Sequence, residues 1–254
     1  MNAFEKVASS IDALKLKNMD FAKEPPGEKK GLIEVEGGES RPLSTVAVGD
    51  SMVLGCGCSN TRYGLIPQFL RLLSKRMNRN VEWELVGKFG ATLTRVRYRM
   101  LPSLEGRHWD VLMLCAGSND LMAFRPADEK WQRELKDSIE MAKALADRVI
   151  VFSSAEVYMV PAFGRALQER LKRATLRQAE VAQKVCDANG ALYVNQTVGT
   201  PYGDTKWFWC SDCFHPSYEG YRVIANCLIS HFSDSQCKDL ASLGLEDCKA
   251  EQVN

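Results

Sequence analysis

From residue 43 onward, short β-rich runs alternate with stretches of helical periodicity. The runs are LSTVAV (43–48), VEWELV (81–86), DVLMLCA (110–116), RVIVFS (148–153) and ALYV (191–194). Between them apolar residues return every three or four positions, which predicts helices over 64–77, 91–101, 128–146 and 165–188, and a last one after Pro216. Strands that are apolar along most of their length and separated by helices predict a parallel sheet covered on both faces. In such sheets the working site lies past the carboxyl ends of the strands.

The chain ahead of this pattern reads differently. Phe4, Val7, Ile11 and Leu14 recur at helical spacing, and KEPPGEKKG (23–31) then interrupts with prolines, glycines and charges. This predicts a short amphipathic helix and a linker, an extension over residues 1–42 ahead of a domain at 43–232, with a tail at 233–254. A helix of this kind packs more often on its own domain than on a membrane or a partner.

Composition narrows the class. The 254 residues are 45% hydrophobic, ample for one large core. With 33 basic and 32 acidic residues, net charge +1, nothing in the bulk electrostatics calls for nucleic acid or an anionic membrane surface. No apolar run approaches the ~18–20 residues of a membrane span, and the first twenty residues lack the apolar core of a secretory signal. The expectation is a soluble cytoplasmic protein, in which nine cysteines are free thiols. Oligomeric state is not legible. Cys56 and Cys58 (CGC) with Cys210 and Cys213 (CSDC) have the spacing of a four-thiolate zinc site. The alternatives are small buried hydrophobes or a Cys210–Cys213 disulfide, and the second pair's position beside an Asp and a His points to another role.

Chemistry concentrates at the predicted strand ends. Gly49, Asp50 and Ser51 follow the first strand, where a serine can either cap a turn or act as a nucleophile. A nucleophilic serine needs a base, and the chain has three histidines. His108 precedes the third strand, at the wrong edge, and His231 lies near the end of the last helix. His215 remains, in CSDCFHPSYEGY, with Asp212 three residues before it. That spacing in a tight turn can set a carboxylate on the imidazole Nδ1 and leave Nε2 to accept the serine proton, and Pro216 also suits a helix start. Acyl chemistry needs oxyanion donors as well. GSND after the third strand offers the Asn119 side chain and GKFG (87–90) a backbone N–H, although both are ordinary turn compositions.

Together the fragments G49-D-S-M-V-L-G55, G87-K-F-G90, G117-S-N-D120 and D212-C-F-H-P216 resemble the SGNH hydrolases, also called GDSL-type esterases and lipases. Each fragment is weakly informative alone, and their ordered combination is specific. The resemblance covers about residues 43–232 and implies a flavodoxin-like three-layer α/β/α fold around a five-stranded parallel sheet. It implies Ser51 as nucleophile, His215 and Asp212 as base and orienter, and an oxyanion hole of the Ser51 and Gly90 amides with the Asn119 side chain. No metal or organic cofactor is implied. Met52 stands where the family more often has Leu, a change that keeps volume and apolarity.

The expected reaction is hydrolysis of small soluble acyl esters or lysophospholipids. The same residues would serve an acyltransferase or an acetyl-ester deacetylase acting on a sugar, and a non-catalytic acyl-binding module would keep the pocket alone. Tyr202, Trp207, Phe208 and Trp209, ahead of the acid–base pair, and EVYMVPAF (156–163) either line that pocket or serve as ordinary packing.

Overall fold

The protein is described by a computed structural model over residues 19–196 and 205–245. The expected helix through Phe4–Leu14 and the candidate pocket residue Tyr202 lie outside the described residues.

The strands are β1 (Lys30–Ile33), β2 (Glu39–Gly49), β3 (Arg79–Gly87), β4 (Trp109–Cys115), β5 (Ala146–Phe152) and β6 (Leu192–Val194). They form one sheet in the order β1-β3-β2-β4-β5-β6. The five strands read from the apolar runs pair in parallel. A sixth, β1, departs from the expected count: it pairs antiparallel to β3 at the edge, with Lys30 opposite Glu84 and Ile33 opposite Val81. Its residues lie within the segment read as linker. KGLI is too short and too exposed to show a periodicity, and its place comes from backbone pairing with β3, which the local pattern cannot display.

The helices are α1 (Ser51–Leu54), α2 (Leu65–Met77), α3 (Leu93–Arg95), α4 (Ser118–Met122), α5 (Glu129–Lys143), α6 (Arg165–Asn189), α7 (Tyr218–Ser230) and α8 (Asp234–Ser242). The expected helix over 91–101 is broken, with a π-helical turn at Val96–Met100 following α3 and a 3-10 turn at Leu101–Leu104. Pro102 sits in the first turn of that 3-10 segment and, having no N–H, keeps an α-helical ladder from continuing through it. Residues 234–242, in the stretch read as a tail, form α8 behind a Ser233/Gln236 capping box and bury Cys237 and Leu240.

Alternation along the strands divides the core. Ala47, Val111, Met113 and Phe152 face α2, α7 and α8, where Ile66, Phe69, Ile224 and Leu228 meet them. Val46, Val48, Leu112, Leu114 and Val151 face the other layer, built from Leu93, Trp131, Ile139 and Val181. Period-two strands between helical stripes give the three layers.

The sheet reverses winding at β2, whose neighbours are β3 on one side and β4 on the other. Gly49 stands opposite both Gly87 and Cys115, so three strands end side by side. Glycine is required there because a Cβ on residue 49 would run into the Cys115 carbonyl oxygen. The crevice past these ends holds the candidate site.

Candidate active site

The chain turns directly from β2 into α1. Asp50 caps it, accepting Met52 N–H at 3.0 Å, and Ser51 is its first residue. Ser51 is 8% exposed, at the rim of the crevice. The loop that follows approaches the segment carrying His215 so closely that a Cβ on Gly57 would strike the Pro216 carbonyl oxygen. Tyr221 of α7 ties the two together, its hydroxyl donating to Cys56 O at 2.7 Å.

His215 sits in a tight loop closed by Cys210 N–H to His215 O (2.9 Å) and Cys213 N–H to Cys210 O (3.0 Å), with Cys213 at φ 54. Its Nε2 lies 3.1 Å from Ser51 Oγ and its Nδ1 2.7 Å from Asp212 Oδ2. The imidazole is 1% exposed. The structure thus brings Ser51, His215 and Asp212 into one chain of hydrogen bonds, an arrangement in which the imidazole can take the hydroxyl proton while the carboxylate fixes the tautomer. His108 pairs with Asp147 instead (2.9 Å), away from this site.

Asp212 is heavily supplied with donors. Oδ1 accepts the Cys210 thiol (3.0 Å), Phe214 N–H (2.8 Å) and His215 N–H (2.8 Å), while Oδ2 also accepts Ala22 N–H at 2.9 Å. Burial alone would push this carboxyl up. The hydrogen bonds from the His215 ring, Cys210, Ala22 and the His215 amide outweigh it and hold the group well below the usual carboxylate range.

The expected oxyanion donors are placed unevenly. Ser51 N–H opens α1. Gly90 lies on the exposed turn after β3, beside Phe89, whose ring centroid is 5.6 Å from that of His215. Asn119, on α4, reaches the crevice, but both of its amide hydrogens have partners, Asp50 Oδ2 at 3.1 Å and Ala91 O at 3.0 Å. An oxyanion at this place must share one of them in a three-centre bond.

That Asp50–Asn119 pair was not apparent from the sequence, which shows Asp50 only as the residue between Gly49 and Ser51. Burial pushes the Asp50 carboxyl up to about 6, against the lowering effects of Met52 N–H, His215 and Asn119. A carboxyl whose pKa is raised on folding favours the folded state below its unfolded value and loses that advantage as pH rises through the folded one. The stability difference between wild type and Asp50→Asn should therefore fall by on the order of 3 kcal/mol between pH 4 and pH 8. Urea unfolding of both proteins across that range measures it.

Beside Ser51 lies a narrow cleft with a cavity volume of about 50 Å³. Met52, Met122, Val157, Val160, Trp209 and Phe214 give it apolar walls, with Ser118, Asn119 and Glu156 as polar points. Of the pocket residues read from sequence, Trp209 and Phe208 line it, Phe208 being 1% exposed. Trp207 does not: it stands outside the cleft, 50% exposed. Consecutive aromatics after a loop cannot show which of them turns inward.

Two of the four paired cysteines donate hydrogen bonds. Cys58 donates to Tyr63 O (3.3 Å) and Cys210 to Asp212, and burial pushes the Cys56, Cys58 and Cys210 thiols up to about 12. Cys210 and Cys213 are both free. Among the described residues no group of three or more His, Cys, Asp or Glu is arranged to hold a metal ion, and no helix is long and apolar enough to cross a membrane.

The profile of the GDSL-like lipase/acylhydrolase family matches residues 47–223. No curated protein sequence matches the chain significantly. Among solved structures, a family 3 carbohydrate esterase of Clostridium thermocellum aligns with a TM-score of 0.62 at 19% identity, over 79% of this chain and 100% of its own. A catalytic mutant of an acetylxylan esterase from Geobacillus stearothermophilus aligns at 0.57 and 16% identity, over 78% and 97%. The psychrotrophic esterase EstA of a Pseudoalteromonas species aligns at 0.54 and 14%, over 74% and 94%. At these identities the structures establish a shared fold.

Proposed function

Because the chain belongs to the GDSL-like lipase/acylhydrolase family, and so to the carboxylic ester hydrolases, we propose that it cleaves esters of small acyl groups through an acyl-enzyme on Ser51. The observation that carries the reading is the continuous hydrogen-bond chain from Ser51 Oγ through His215 to Asp212 at the mouth of the apolar cleft. His215 Nε2 takes the hydroxyl proton as Oγ bonds to the ester carbonyl carbon. The negative charge that develops on the carbonyl oxygen meets the Ser51 and Gly90 amides and the Asn119 side chain. Collapse breaks the carbonyl–alkoxy bond, and the alcohol leaves with the proton from His215. A water molecule, deprotonated by the same nitrogen, then attacks the acyl carbon and releases the acid from Ser51.

The cleft supports a small acyl group. Its cavity volume of about 50 Å³ leaves room for a short acyl chain only, and the methionine, valine and aromatic walls favour an apolar acyl part. The acetylxylan and carbohydrate esterases that share the fold are consistent with acetyl esters of polar alcohols as the substrate class.

Hydrolysis of p-nitrophenyl esters from acetate to palmitate tests this. The expected profile has its highest kcat/KM at acetate or butyrate and declines steeply for longer chains. A maximum at palmitate would overturn the small-acyl reading and favour a lipid substrate.

A further inference from the structure

The segment ahead of β1 passes across the acid–base pair. Ala22 N–H donates to Asp212 Oδ2 over a separation of 190 positions, sharing that oxygen with His215 Nδ1. The Phe21 ring lies 4.9 Å from Phe214, 5.7 Å from Phe89 and 6.2 Å from the imidazole of His215, centroid to centroid. The chain is then anchored downstream: Pro25 is buried, Pro26 O accepts Thr61 N–H (3.0 Å), Glu28 O accepts the Thr61 hydroxyl (2.7 Å) and Lys29 O accepts Leu85 N–H (2.7 Å). The approach of residues 21 and 22 to the site is therefore held by fixed backbone contacts.

The donors to Asp212 divide by origin. Those from Cys210, Phe214 and His215 belong to its own loop and mostly hold Oδ1. Oδ2, the oxygen that orients the imidazole, receives its second donor from Ala22. A carboxylate can turn about its Cβ–Cγ bond, and a second fixed donor on the orienting oxygen opposes that turn. The three phenylalanines wall the same side, which lowers the local dielectric and strengthens the Asp212–His215 bond.

We infer that residues 21 and 22 are a positioning element of the active site: the Ala22 amide keeps Asp212 aligned on His215, and Phe21 closes the aromatic wall that shields their bond from water. The inference rests on the proposed role of Ser51. Neither residue lines the cleft beside Ser51, so the effect falls on turnover and leaves substrate binding alone.

The test uses full-length variants assayed with p-nitrophenyl acetate and with a fluorophosphonate probe, which reports nucleophile activation independently of the acyl pocket. Ala22→Pro deletes the N–H and should lower kcat by about 10–100-fold with KM unchanged, slowing probe labelling in proportion. Ala22→Gly retains the N–H and should match wild type. Phe21→Ala should lose about 10-fold in kcat and Phe21→Leu recover part of it. Should Ala22→Pro fail to fold, Phe21→Ala decides by the same readouts. Wild-type kcat and labelling in both Ala22→Pro and Phe21→Ala, with Ser51→Ala inactive, would overturn the inference and leave the esterase reading standing. Turnover and labelling that survive Ser51→Ala would overturn the nucleophile assignment itself, and the positioning role with it.

Discussion

Replacing Ser51 with alanine should lower ester hydrolysis by about 10⁴–10⁶-fold and abolish labelling by a fluorophosphonate, while the melting temperature stays close to that of wild type. The loss is large because the proposed mechanism loses its attacking oxygen, and no neighbouring hydroxyl is placed to replace it. Ser118 also lines the cleft, yet its Oγ accepts Ala155 N–H at 3.1 Å and lacks the imidazole contact that Ser51 has. Structurally the change is mild. Ser51 opens α1, where alanine is an excellent helix former, and the cap that starts the helix belongs to Asp50. The vacated hydroxyl leaves His215 Nε2 without its 3.1 Å partner at the cleft, a site that water can occupy. Activity and stability measured on the same preparation separate loss of chemistry from loss of fold. A variant that keeps wild-type turnover would assign the chemistry to another residue.

What was legible in the sequence follows from the range over which each feature is encoded. The parallel strands and the layers announce themselves in apolar runs and helical stripes because burial on both sheet faces dictates composition locally. The Gly-Asp-Ser fragment and the Asp212/His215 fragment are local too: Asp50 and Ser51 directly follow a strand end, and Asp212 sits within a turn of His215. The missing parts are those that depend on a distant partner. KGLI becomes β1 only because β3 offers an open edge. Asp50 is more than a cap only because Asn119, on another strand's end, reaches it. Phe21 and Ala22 carry no local signal of any kind, since a backbone N–H is the same in every sequence and its target stands 190 positions away. In the aromatic stretch 207–209 composition was informative while direction was not: Trp209 faces the cleft, Phe208 is both core and lining, and Trp207 points away.

Asp212→Asn should reduce kcat by about 10⁴-fold although the two side chains differ by one atom. The hydrogen-bond pattern decides which way the amide must face. The Oδ1 position receives three donors, the Cys210 thiol and the Phe214 and His215 amides, so the amide oxygen has to occupy it. The NH₂ group then takes the Oδ2 position, opposite His215 Nδ1 and Ala22 N–H. There it donates to Nδ1, which must give up its proton. The imidazole is forced into the tautomer with the proton on Nε2, facing Ser51, and it can no longer accept the serine hydroxyl proton. The reversed amide would set its NH₂ against three donors, so rotation offers no escape. The same substitution should also weaken the fold in a pH-dependent way. A carboxyl held low by its partners adds stability that is present above the unfolded pKa of about 3.9 and lost as pH falls through the folded value. Asp212→Asn should therefore be less stable than wild type at pH 7, with the gap narrowing below pH 4. Kinetics at pH 7 together with urea unfolding at pH 7 and pH 3 measure both effects. Full activity in Asp212→Asn would show that the carboxylate is an anchor for the 210–215 loop alone, with His215 oriented by other means.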